Sequence, residues 1–139
     1  MSDERGQALV IAALLLAIAA VVIAGLRLSQ DAILARARAS RAGEAAVEAA
    51  AAVVADAYVA ELRRAAVEPG EAPQVGRVVT SPAVREDARA AASDLSVRNG
   101  GDAVAAVSIA CGPSGVDVAI VVRGISYRAG FAAVECFPR

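Results

Sequence analysis

The hydrophobic pattern of the chain changes twice along its length. From Ala8 to Leu26 the residues are apolar on every side, with no charge in roughly 19 positions. As a helix this stretch rises about 28 Å, close to the hydrocarbon thickness of a bilayer. From Arg27 onward, charged and apolar residues mix at helical spacing, with no proline until Pro69. Within that run Val47, Ala51, Val54, Tyr58, Leu62 and Ala65 step by three and four, an amphipathic stripe. Gly43 is the weak point, costing about 1 kcal/mol relative to Ala, and leaves open whether the helix continues through it or bends or breaks there. Glu68-Pro69-Gly70 is a firm stop.

Beyond the stop, Gly70 to Ser81 reads as a linker holding a short strand at Val75 to Thr80. Ser81-Pro82 is a helix start, with Ser as N-cap and Pro at the first helical position. Glu86 and Asp87 lie near its positive end. The helix is expected to run to about Leu95 and stop by Asn99-Gly100-Gly101. The period then becomes two. Val107, Ile109 and Cys111 point one way, Gly112 to Gly115 turns the chain, and Val116, Val118, Ile120 and Val122 point one way again. This predicts a β-hairpin, with one or two further strands from Ile125 to Arg128 and Ala132 to Phe137. The expected fold class is α+β: a long N-terminal helix, first transmembrane and then amphipathic, packed on a small C-terminal antiparallel sheet with one extra helix. The expected segments are residues 1–7 as leader, 8–26 as membrane helix, 27–68 as helical stalk and 69–139 as a small extracytoplasmic domain.

The apolar segment admits three readings. A buried helix of a soluble protein fits poorly, because the uncharged stretch is long and apolar all round. A cleaved secretory signal would use Val22-Ile23-Ala24 as its small-residue site. Its leader, however, holds one Arg against Asp3 and Glu4, and its apolar run exceeds a typical signal core. A retained membrane helix fits best. Ala13, Ala17, Ala20 and Ala24 share one face, and Ile11, Leu15, Ile18, Val22 and Leu26 the opposite one. Small residues let helix backbones approach closely, so the alanine face is the expected helix-packing surface. Orientation has two opposed signals. Arg27, Arg36, Arg38 and Arg41 favour a cytoplasmic C-terminal side. Cys111 and Cys136, an even pair near the C-terminus, suit a disulfide in an extracytoplasmic domain, the alternative being two buried thiols in a reducing compartment.

Composition narrows the chemistry. Setting the apolar segment aside, 139 residues leave room for one small domain, and at 3 % aromatics its core must be mostly Val, Ile and Ala. A net charge of −1 argues against nucleic acid as a partner. The chain has no His and no Lys, which removes the commonest general base, the commonest metal ligand, Schiff-base chemistry and the phosphate-loop lysine. Neither Cys lies in a CxxC, and Gly100-Gly101 and Gly112 to Gly115 read as turns rather than phosphate loops. No catalytic residues, metal or cofactor are expected. A Cys111–Cys136 bond would close a loop of about 25 residues, worth near 3.5 kcal/mol by chain-entropy bookkeeping.

Arg5-Gly6-Gln7-Ala8-Leu9-Val10, followed by the apolar helix and an Ala-rich continuation to about residue 67, resembles the TadE/TadG-like family. These are minor pilin-like (pseudopilin) components of bacterial tight-adherence (Tad/Flp) pilus systems, related in layout to type IV pilins. The resemblance implies a long N-terminal helix, a C-terminal antiparallel sheet and often a disulfide near the C-terminus. It implies cleavage by a prepilin peptidase after Gly6, leaving Gln7 as the mature N-terminus. The family often carries Glu at the fifth mature position, thought to pair with a neighbouring subunit's N-terminus. That position here is Ile11, which is cheaper in lipid and favours a subunit that stays in the membrane or starts a filament tip.

The leading expectation is therefore a non-enzymatic assembly subunit of a Tad/Flp-type pilus or related secretion filament. It would sit single-pass in the bacterial inner membrane or in a surface adhesion filament, with other pilin or pseudopilin subunits as partners. The alternative is a single-span anchored envelope protein with a small extracytoplasmic binding domain.

Overall fold

The computed structural model describes residues 3–68 and 72–136; Pro69, Gly70 and Phe137, named above, lie outside it, as do Met1 and Ser2. The elements run α1 (Asp3–Val67), α2 (Val75–Thr80), α3 (Pro82–Arg98), β1 (Ala106–Gly112), β2 (Gly115–Val122), β3 (Ile125–Phe131) and a single 3₁₀ turn (Val134–Cys136). The fold is α+β, with a long N-terminal helix, a three-stranded antiparallel sheet in the order β1-β2-β3 and an extra helix. The chain forms two compact units, Met1–Ala37 and Arg38–Arg139.

In the second unit the sheet lies on the later part of α1. The anticipated stripe is buried at Val47, Ala51, Val54, Tyr58 and Ala65, with Leu62 partly buried. Ala42, Ala46 and Ala50, which the stripe did not include, are fully buried beside it. The strands contribute Val107, Ile109, Val116, Val118, Ile120 and Val122 from their inward positions, so the period of two is realised as one core-facing side. Cys111 shares that parity but is exposed at the sheet's end. α2 and α3 both contact β1, adding Val75, Val78, Ala88 and Ala92 to the core.

Two local questions are decided and one expectation is corrected. α1 runs unbroken through Gly43. The glycine is buried, and a Cβ there would overlap the Tyr127 ring, so packing against β3 holds the helix through a residue of poor intrinsic propensity. Val75 to Thr80 is a helical turn and a half rather than a strand. Its Val75 and Val78 reach the core at helical spacing, Thr80 Oγ1 donates to the Gly76 carbonyl at 2.6 Å, and tertiary contact overrides the β-branched composition. Of the one or two further strands expected after the hairpin, one forms among the described residues, at Ile125–Phe131; Ala132 to Cys136 leads into and makes the 3₁₀ turn instead.

The remaining signals are realised locally. Ser81 Oγ accepts from Val84 N at 3.3 Å, and the residue's extended backbone (ψ 119°) is the conformation a following Pro82 favours. α3 runs three residues past Leu95, to Arg98. The first hairpin closes as Gly112↔Gly115. Gly115 has φ 143°, and a Cβ there would overlap the Phe131 carbonyl. The second hairpin turns on Arg123 (φ 51°) and Gly124 (φ 76°), both left-handed as a type I′ turn requires. Arg123 pairs with Asp102.

Candidate functional site: the apolar segment of the first helix

Every described side chain from Leu9 to Leu26 is exposed. The large ones are 52 % to 73 % accessible, with Ile18 lowest and Leu9 and Val21 highest. At 100° per residue, Ala13, Ala17, Ala20 and Ala24 lie within an arc of about 60°, and Ile11, Leu15, Ile18, Val22 and Leu26 within about 80° on the opposite side. Gly6, Gln7 and Ile11 also lie in α1. The helix is long and apolar enough to cross a membrane. Its only chemistry is apolar area and, on one face, small residues. An exposed apolar surface of this extent marks a lipid or protein contact.

The segment ends in polar groups. Ser29 Oγ donates to the Leu26 carbonyl at 2.8 Å, returning its hydroxyl to the helix backbone. Arg27, Asp31 and Arg36 follow, exposed and without an ion pair among the described residues.

In the second unit the polar groups act as ties. Cys111 and Cys136 form a disulfide, Cα–Cα 5.3 Å, closing the sheet's end onto the 3₁₀ turn. Next to that bond, Tyr58 Oη donates to Glu135 Oε2 at 2.5 Å, and the Tyr58 and Phe131 rings lie 5.6 Å apart. The Glu135 carboxylate, reinforced by burial, pushes the Tyr58 phenol up to about 12. Glu61 accepts from Arg64 at 2.8 Å and from Gln74 N at 2.9 Å, joining α1 to the segment before α2. Those two donors, Arg64 first, hold its carboxyl down to about 2. An open groove of about 340 Å³ lies nearby, lined by Glu61, Arg64, Arg77 and Ser81 among others.

The structure brings together no nucleophile and base among the described residues. Ser81 is engaged as a cap, Ser93 Oγ accepts from Val104 N at 3.1 Å, and Glu86 is paired with Arg89. Ser96 Oγ is buried without a hydrogen-bond partner. Of the residues singled out from sequence, the structure joins the two cysteines and aligns the four alanines. The Tyr58–Glu135 tie escaped sequence reading, since nothing local links positions 77 residues apart.

No family model, curated protein or solved structure matches the chain.

Proposed function

We propose that the chain is a non-enzymatic structural subunit, a minor pilin-like component of a Tad/Flp-type pilus or related secretion filament. It inserts Ala8 to Leu26 in the bacterial inner membrane and assembles by packing its alanine face on the N-terminal helices of other pilin-like subunits. One observation carries the reading: a single element, α1, supplies both an uncharged exposed segment of membrane length and the helix on which the sheet of the C-terminal unit is built. The disulfide supports an oxidising, extracytoplasmic setting for that unit, against the orientation the arginines would favour. The resemblance at Arg5-Gly6-Gln7 supports processing between Gly6 and Gln7 by a prepilin peptidase.

Ile11 supports a second reading, a single-span anchored envelope protein whose C-terminal unit binds a partner. The charge that guides docking in pilin-like subunits is missing at this position. Charged substitutions distinguish the two. Ala17→Glu and Ala20→Glu place a carboxylate on the packing face, at a cost of about 2.5–3.5 kcal/mol if it meets lipid or a neighbouring helix at the membrane centre. Filament assembly should fail while the disulfide-bonded C-terminal unit remains intact. Normal filaments containing the variant chain would exclude the packing mechanism.

A further inference from the structure

The outer face of the sheet carries a charge pattern that the assembly of the first helix does not use. The register places Ala, Ser, Val or Gly at every outward position except two, Asp117 on β2 and Arg128 on β3. The solvated face of an antiparallel sheet is ordinarily polar. Charge scarcity is not general in this unit, since α3 exposes Arg85, Glu86, Asp87, Arg89, Asp94 and Arg98. Asp117 and Arg128 are both exposed, and among the described residues neither has an ion pair or a side-chain hydrogen bond. They occupy diagonal positions: Asp117 is opposite Gly130, and Arg128 is opposite Ala119 at the centre of the face. The Asp117 carboxylate lies across the face, one oxygen over Gly112 on β1, where a Cβ would overlap it, and the other beside Gly130 on β3.

We propose that this face docks a second copy of the chain, sheet to sheet about a two-fold axis, with Asp117 of each copy meeting Arg128 of the other. A surface with one acid and one base off its centre is complementary to itself under such an axis, because an isologous contact pairs each residue with its counterpart twice. A partner of strong net charge would find no net charge here to oppose. The small side chains let the sheets approach closely over the middle of the contact. Three short strands present only about 200 Å² per copy, well below the ~800 Å² of a stable soluble dimer. The contact therefore acts between copies already concentrated in one membrane or filament, and in that respect it rests on the anchoring role of α1.

The test uses the full chain in phosphatidylcholine vesicles, with the photo-crosslinking residue p-benzoylphenylalanine at Ser108. Asp117→Arg alone and Arg128→Asp alone should each lower the yield of crosslinked dimer about threefold to tenfold. Mixing the two variants should restore it, because each then presents what the other lacks, and the restoration shows that both are folded. The double exchange D117R/R128D should crosslink like the parent chain. Yields that ignore these charges, or a mixture no better than its components, would overturn the sheet contact. A crosslinker at Ala17 reads helix packing separately. Charge-dependent crosslinking at Ser108 without any at Ala17 would leave the sheet contact standing and remove the helix-packing mechanism; the reverse would remove the sheet contact.

Discussion

Replacing Gly43 by alanine sets two effects of opposite sign against each other. In a helix the change gains about 1 kcal/mol of intrinsic propensity. Here the added methyl would overlap the Tyr127 ring, which lies over Gly43 from β3. Either the ring leaves its seat or α1 and β3 separate locally, and overpacking of this kind costs about 1–3 kcal/mol. The balance predicts that G43A leaves the protein about as stable or destabilises it by up to about 2 kcal/mol. Tyr127→Ala removes the obstacle, so in that background G43A should stabilise by about 1 kcal/mol. The coupling between the two changes is then about 1–3 kcal/mol, the quantity a double-mutant cycle isolates. The assay is urea unfolding of the full chain in detergent, followed by tyrosine fluorescence, which Trp does not obscure because the chain has none. A gain of about 1 kcal/mol from G43A in both backgrounds would refute the contact between α1 and β3.

Reducing the Cys111–Cys136 bond opens a loop of 25 residues and should lower stability by about 3.5 kcal/mol, seen as a fall in the urea midpoint under reductant; an unchanged midpoint would contradict it. Tyr58 is raised from 10.0 to about 12, so its bond to Glu135 stabilises the fold fully below pH 10 and is lost as pH rises toward 12. Glu135→Gln should bring the phenol's titration, followed by ultraviolet absorbance, back toward its ordinary range; no movement would place the cause elsewhere. Ser96→Ala deletes a buried hydroxyl that has no partner and should stabilise by about 1 kcal/mol in the same unfolding assay, whereas a loss of that size would mean the hydroxyl is satisfied.

What sequence reading recovered follows from periodicity. The stripe from Val47 to Ala65 and the alternation through β1 and β2 each repeat often enough to specify a face, and both faces meet in one core. Ser81-Pro82 was legible because a cap is local chemistry. What sequence reading left open or missed is decided by distant contact. Gly43 leaves the helix's continuity open until Tyr127 is placed on it. Val75 to Thr80 looks like a strand because its valines favour one, yet two of them fill a gap beside β1 as a helix. The alanines at 42, 46 and 50 escaped notice because alanine is so common in this chain that its burial leaves no pattern. At the apolar segment, the pattern specifies length and two faces and nothing of what covers them.

In the proposed pilin-like subunit, Gly6-Gln7 is the junction between a leader and its helix. Mass spectrometry of the protein isolated from membranes of cells that carry the corresponding filament system reads this directly. The expected result is a mature chain beginning at Gln7. A chain that retains Gly6 and the residues before it, or one that begins at Gly25 after signal cleavage, would contradict it.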